Sequence, residues 1–256
     1  MDNRPIGLFD SGMGGLSVWQ QISRALTSES LIFFGDGVRC PYGSRGKEEV
    51  LQFTVEAVER LIAEGCKLIV IACNTATAVA IDYLRANYPQ IPFVGLEPAV
   101  KPAALSTKTG TVAVLATQRS LEGELFVNTS AKYADKVNII KAVGKGFVEI
   151  VEEGREHSAE ADSAVKEVVE PLIAAGADRI VLGCTHYPFL RANIERVIGD
   201  RDVKVVDSGE AVSRRVEQLL DYYHFRAAED NIPIYKFITL GDKLYQERLE
   251  RRAYGY

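Results

Sequence analysis

Residues 181–190 read VLGCTHYPFL: an apolar, strand-like run that ends on a cysteine, a threonine and a histidine. Residues 69–78 read IVIACNTATA, and this run also ends on a cysteine followed by small polar residues. One cysteine in such a position is ordinary, because cysteine is small and often buried. Two in matching contexts indicate that the chain repeats one structural unit, with a cysteine at a strand's carboxyl end in each copy.

On both sides of these stretches, short apolar runs alternate with segments of helical length. PIGLFD, LIFFGD, KLIVIA and IPFVGL lie in the first part, and GTVAVLAT, KVNIIKAV, RIVLG and VKVVDS restart the pattern. Periodicity predicts a helix over residues 47–64, ended by Gly65, and a long helical region over 147–172 with EEGREHS as a possible break. The last 25 residues predict one strand, a turn and a terminal helix. This alternation is typical of α/β folds with mostly parallel sheets.

Composition narrows the function classes. The 256 residues suffice for two lobes, and 47% hydrophobic with 25% charged residues is ordinary for a globular protein. A net charge of -5 argues against nucleic-acid binding. The apolar runs are too short to span a membrane and no signal pattern begins the chain, so we expect a cytoplasmic protein with reduced thiols. The four cysteines and three histidines lack zinc-site spacing, so no metal is expected.

Cys73 and Cys184 are the strongest candidates for chemistry. Each alone is as consistent with a buried structural residue beside a helix cap. Both are predicted at strand-to-helix junctions, where a helix N-terminus binds carboxylates and lowers a thiol's pKa. Two opposed thiols suit removal of a proton from one face of a carbon and delivery to the other, which inverts a stereocentre. Cys40 and Cys66 lack this context and are expected to be structural or incidental.

Other candidates each have a structural alternative. Asp10 and Ser11, in FDSGMGG, are also consistent with a helix cap, and GMGG is a weak phosphate-loop signal because it lacks the full glycine pattern. Tyr42 and Gly43 lie in a loop that is as readily a plain turn. His186 fits a capping or core role equally well, and a glutamate such as Glu152 would ordinarily lie on a solvated helix face.

The segments FDSGMGGLSV, CPYGSRG, ACNTATA and LGCTHYPFL, in this order and spacing, resemble the glutamate racemase family of the cofactor-independent amino-acid racemases. The resemblance runs from Ile6 to about residue 210. It implies that Cys73 and Cys184 are the catalytic acid/bases, assisted by Asp10 and His186, with Glu152 preferred over Glu153 as a carboxylate near Cys184. It also implies these substrate-holding residues: Asp10, Ser11, Tyr42, Gly43, Asn74, Thr75, Thr117, Thr185 and His186.

The resemblance implies two α/β lobes with the active site in the cleft between them. We predict that residues 1–96 and 209–256 form the first lobe and residues 97–208 the second. The family uses neither pyridoxal phosphate nor metal, is usually homodimeric, and makes D-glutamate for peptidoglycan. Cys73 is implied to take the α-proton from D-glutamate and Cys184 from L-glutamate. A racemase for aspartate or another amino acid is the alternative, and an added protein-binding role has no sequence signature.

Overall fold

The structure is a computed structural model that describes residues 1–255. Its strands are β1 (Ile6–Asp10), β2 (Leu31–Gly35), β3 (Leu68–Ile71), β4 (Phe93–Gly95), β5 (Thr111–Ala116), β6 (Asn138–Val143), β7 (Arg179–Gly183), β8 (Lys204–Val206) and β9 (Tyr235–Thr239). Its helices are α1 (Leu16–Ala25), α2 (Lys47–Ala63), α3 (Asn74–Asn87), α4 (Val100–Ser106), α5 (Gln118–Glu122), α6 (Glu124–Ala131), α7 (Phe147–Glu152), α8 (Ala159–Ala174), α9 (Arg191–Ile198), α10 (Gly209–Tyr222) and α11 (Lys243–Tyr254). Within residues 1–255, no helix is long and apolar enough to cross a membrane.

The chain divides into two compact units. Unit 1 holds Met1–Leu96 and the segment that begins at Gly209, and unit 2 holds Glu97–Ser208. The sheet of unit 1 has the order β4-β3-β1-β2-β9, and the sheet of unit 2 has the order β6-β5-β7-β8. Every described strand pair is parallel. Strands such as β1 and β3 are buried along their whole length, which explains their unbroken apolar sequences.

The two units repeat one topology. Read from one edge, unit 1 begins β4-β3-β1-β2, and unit 2 reads β8-β7-β5-β6, the same order with each strand number raised by four. Unit 1 adds β9 outside β2. In both units, the strand that precedes the cysteine pairs with the unit's first strand. The two similar α/β lobes with parallel sheets expected from the sequence are thus confirmed.

The helix predicted over residues 47–64 is α2. Val50, Val58 and Leu61 of its apolar face are buried, while the other apolar residues of that face are only half-buried. Gly65 follows the helix with a φ of +80°, a left-handed conformation that glycine adopts without strain.

Two other helical regions add detail to the prediction. Residues 147–172 form two helices, α7 and α8, and the break that was predicted as possible within EEGREHS is present over residues 153–158. Gly154 has a φ of +71°, and the Ser158 side chain accepts the Ala161 N–H at 3.1 Å to cap α8. The short helix α4 was not predicted from the sequence. Its Pro102 lies in the first turn, where a helix needs no backbone donor.

Candidate active site

Cys73 lies between β3 and α3 and is the N-cap of that helix. Its Sγ accepts the N–H of Ala76 at 3.4 Å, and its S–H donates to Ser11 Oγ at 3.6 Å. The side chain is 4% exposed. Because β1 and β3 are parallel neighbours, Asp10 and Ser11 come next to Cys73 at the same edge of the sheet. The Ala76 N–H and the helix dipole both favour a thiolate at this position.

Asn74 and Thr75 form the first turn of α3, and both are buried. The Asn74 Nδ2 has no hydrogen-bond partner among residues 1–255. A buried donor without an acceptor costs free energy, so this amide is suited to bind an acceptor on a ligand, such as a carboxylate. Asn74 and Thr75 are among the residues that the family resemblance implies hold substrate, and this prediction stays open.

Asp10 and Tyr42 are held by different partners. The Asp10 carboxylate is buried and accepts the N–H of Gly12 at 3.0 Å. The Tyr42 hydroxyl donates to Asp36 Oδ2 at 2.6 Å, and burial together with that hydrogen bond raises the pKa of Tyr42 far above its usual range. Gly43 follows in the same 3₁₀ turn, Tyr42–Ser44, and is half-buried. Asp36 was not among the residues predicted from the sequence.

In unit 2, Cys184, His186 and Glu152 form a chain of polar contacts. Cys184 follows β7 and is buried, with its Sγ 3.8 Å from Nδ1 of His186. The Nε2 of His186 lies 2.6 Å from Glu152 Oε1, at the end of α7. Glu153 instead pairs with Arg155 at 2.5 Å, with its side chain 58% exposed. A carboxylate that orients a histidine beside a thiol is an arrangement that can move protons at the sulfur.

The junction after Cys184 differs from the predicted one. A 3₁₀ turn, Tyr187–Leu190, follows the cysteine, and α9 begins only at Arg191. The ring of Tyr187 is buried and packs edge-on against Phe147, with ring centroids 5.2 Å apart. Pro188, at the start of the 3₁₀ turn, has no backbone N–H to donate. The prediction of an α-helix N-terminus at Cys184 was therefore wrong. His186 and Glu152, not a helix N-terminus, provide the polar groups beside the Cys184 thiol.

The remaining predicted residues of unit 2 also lie near the end of β7. Thr117 follows β5, whose Ala116 is paired with Gly183, so Thr117 adjoins Cys184 in register. Its Oγ1 accepts the N–H of Ser120 at 3.3 Å and caps α5. Thr185 is buried. Contact of either threonine with substrate stays a prediction.

Neither of the other two cysteines directly follows a strand. Cys66 is buried at the amino end of β3, the opposite end from Cys73, and burial raises the pKa of its thiol to about 12. Cys40 is half-buried in the loop between β2 and α2. Cys66 therefore stays a protonated thiol at neutral pH.

Comparison with known proteins agrees with this geometry. The family model described as Asp/Glu/Hydantoin racemase matches residues 6–216. A glutamate racemase of Herpetosiphon aurantiacus is 42% identical over 254 residues, which cover 98% of each chain. The crystal structure of a glutamate racemase isoform of Bacillus anthracis is 32% identical with a TM-score of 0.89, over 100% of this chain and 96% of that one. The glutamate racemase of Francisella tularensis, solved in complex with D-glutamate, is 28% identical with a TM-score of 0.86, over 100% of this chain and 95% of that one.

The chain belongs to the Asp/Glu/Hydantoin racemase family, a class of isomerases. Within that class, its relatives at this identity and coverage are glutamate racemases, and the chain is grouped with them.

Proposed function

We propose that this chain interconverts L-glutamate and D-glutamate by proton transfer at the α-carbon, with Cys73 and Cys184 as the two acid/bases. One observation carries the proposal. Each thiol follows a strand at the carboxyl edge of its sheet and contacts a buried polar side chain, Ser11 for Cys73 and His186 for Cys184. The glutamate racemases among its relatives support glutamate as the substrate.

The chemistry requires one thiolate and one thiol at a time. An ordinary thiol has a pKa of about 8.5, so only a few per cent is thiolate at neutral pH. The Ala76 N–H and the start of α3 favour the thiolate of Cys73, and His186, held by Glu152, can accept the proton of Cys184. One thiolate takes the α-proton, the other thiol protonates the opposite face, and the two exchange protonation states.

Substrate binding is assigned to the polar residues beside the thiols. The N-terminus of α3 favours a carboxylate, and Asn74 Nδ2 offers it a donor. Thr75 and Thr185 are buried beside the cysteines, and Ser11, Tyr42, Gly43 and Thr117 complete the proposed set. Asp10 assists Cys73, and His186 with Glu152 assists Cys184. Cys73 serves D-glutamate as base, and Cys184 serves L-glutamate.

We further propose that the enzyme works without pyridoxal phosphate or metal, as a cytoplasmic homodimer that supplies D-glutamate for peptidoglycan. Its family membership supports these assignments. The solved racemases of Francisella tularensis and Escherichia coli, in complex with D-glutamate and L-glutamate respectively, support a site that accepts both enantiomers.

The test is racemisation by the purified protein with no cofactor added. L-glutamate should convert to an equal mixture of enantiomers, as followed by chiral chromatography, while L-aspartate should react far more slowly. Cys73→Ala and Cys184→Ala should each lower turnover by about 100-fold or more, the usual contribution of a positioned acid or base.

Cys66→Ala is the matched control, because Cys66 lies at the other end of the strand that leads to Cys73. It should keep its activity. Two-way racemisation by either alanine variant at Cys73 or Cys184 would rule out the two-thiol mechanism. Faster turnover of L-aspartate than of L-glutamate would overturn the substrate assignment.

A further inference from the structure

We propose that Asp36 is a positioning residue, whose buried carboxylate fixes the loop that carries Tyr42 and Gly43 beside Cys73. Asp36 directly follows β2 and is fully buried. Its N–H donates to the carbonyl of Asp10 at 3.0 Å, so the pairing of β1 with β2 extends one residue beyond Gly35. The backbone thus places Asp36 next to Asp10 at the edge of the sheet that carries the proposed site.

The carboxylate of Asp36 binds two side chains of the following loop through one oxygen. Oδ2 accepts the Tyr42 hydroxyl at 2.6 Å and the Arg39 Nε at 2.6 Å, while Oδ1 is buried with no partner in the part of the chain that the structure describes. The Arg39 guanidinium also reaches Glu56 at 2.6 Å and lies 4.1 Å from the ring centroid of Phe53. Hydrogen bonds to a charged acceptor are about twice as strong as neutral ones.

These contacts close the loop on itself. The N–H of Arg39 returns to the carbonyl of Asp36 at 3.2 Å, and the carbonyl of Arg39 accepts Nε of Arg45 at 2.6 Å. Among residues 1–255, Asp36 has the one carboxylate that both Arg39 and Tyr42 bind, so its removal would release the start and the 3₁₀ turn of the loop together. Ordering loop residues costs conformational entropy, and these bonds offset that cost.

Tyr42 is the buried aromatic side chain of this loop. Its ring is buried, with centroids 6.1 Å from Phe9 and 5.8 Å from Phe53. Burial and the hydrogen bond to Asp36 raise the pKa of Tyr42. The 3₁₀ turn that begins at Tyr42 also packs against α3, the helix that Cys73 caps. Loosening the loop should therefore displace Tyr42 and Gly43 and weaken substrate binding, while the acid/bases stay in place.

The test is Asp36→Asn, which keeps the side chain's shape and removes its charge. With glutamate, we expect KM to rise about tenfold for both enantiomers, because the loosened loop holds substrate less well, while kcat stays within about threefold. Glu29→Gln is the matched control, since Glu29 is a buried carboxylate at the other end of β2, bound to Lys67 at 2.6 Å and to the Ala227 N–H at 2.9 Å. It should lower the unfolding midpoint and leave KM unchanged.

A second variant keeps the proposal testable if Asp36→Asn does not fold. Tyr42→Phe should raise KM on its own. The KM of the double variant should not exceed that of the single variant with the higher KM, because both changes break the contact between Tyr42 and Asp36. A KM for Asp36→Asn within twofold of wild type, an unchanged KM in Tyr42→Phe, or effects that multiply in the double variant would overturn the proposal.

This readout rests on the proposed function, so hydrogen–deuterium exchange provides one that does not. Asp36→Asn should speed exchange in the loop of residues 37–46, and Glu29→Gln should not. If wild type fails to turn over glutamate, the proposed function is overturned, and the exchange result alone decides whether Asp36 fixes the loop. Unchanged loop exchange in a folded Asp36→Asn would overturn that role.

Discussion

At the scale of the residue, Glu152 and Glu153 are adjacent but have different partners. Glu152 lies 2.6 Å from His186, and Glu153 lies on the surface against Arg155. Glu152→Gln should lower kcat/KM about 10- to 100-fold, the effect of losing one hydrogen bond to a charged group. The loss should be equal in both directions, because enantiomers have equal free energy. Racemisation kinetics of Glu152→Gln beside Glu153→Gln measure it, and the second variant should stay within about twofold of wild type. An equal loss in both would show that the contact with His186 is not the cause.

The residues of the candidate site differ in how far the sequence could predict them. Cys73 and Cys184 were predicted at strand ends, because apolar runs of strand length stop directly before them. The family resemblance preferred Glu152 over Glu153, but residue patterns do not separate the two, since successive residues point to different sides of a helix and His186 is remote in sequence. Asp36 had a signal that was overlooked: in LIFFGD, as in PIGLFD, an aspartate directly follows a buried strand.

At the scale of the element, Asp178 holds the amino end of β7. Its carboxylate accepts the Thr107 hydroxyl and the N–H groups of Lys108 at 2.7 Å and Thr109 at 3.3 Å. Burial alone would raise the pKa of Asp178, but these hydrogen bonds outweigh it and hold the pKa below its usual value. A lowered pKa in the folded state means that the stabilisation is present at neutral pH and is lost as pH falls through that pKa.

Asp178→Asn should therefore reduce the free energy of unfolding at pH 7 by about 1–3 kcal/mol. The difference from wild type should close as the pH falls below about 4, the usual range of an aspartate in an unfolded chain. Urea unfolding followed by circular dichroism at several pH values measures both effects. A difference that stays constant from neutral to acid pH would contradict this account.

Element types followed from the sequence more closely than their ends did. α2 was predicted because its apolar residues recur with helical period, and Gly65 marks its end. The break between α7 and α8 depends on the left-handed conformation of Gly154, which is set in the folded chain. The 3₁₀ turn after Cys184 depends on burial of Tyr187, a tertiary contact that sequence periodicity does not report.

At the scale of the whole molecule, the repeat was visible because each half of the chain leads an apolar run into a cysteine. The position of β9 was not visible. It pairs with β2, about 200 residues earlier, and its Tyr235 and Phe237 pack against Trp19 of α1 with ring centroids 5.2 and 5.4 Å apart. Such long-range pairing is decided by burial of aromatic surface, which local patterns do not specify.

The two units offer a matched test of how the molecule unfolds. Leu8 of β1 and Leu115 of β5 are fully buried and lie in strands that occupy the same place in their sheets. Leu8→Ala and Leu115→Ala should each cost about 2–5 kcal/mol in their own unit. Trp19 is the chain's one tryptophan, is buried, and has Tyr235, Phe237 and Tyr254 of unit 1 as ring partners, so its fluorescence reports on unit 1.

In urea, Leu8→Ala should lower the midpoint of the Trp19 fluorescence transition. Leu115→Ala should leave that midpoint unchanged and shift only part of the circular dichroism signal, because each unit has its own sheet and buried core. Wild type measured by both probes provides the reference. If Leu115→Ala lowers the Trp19 midpoint as far as Leu8→Ala does, the two units unfold as one cooperative body, and separate unfolding is excluded.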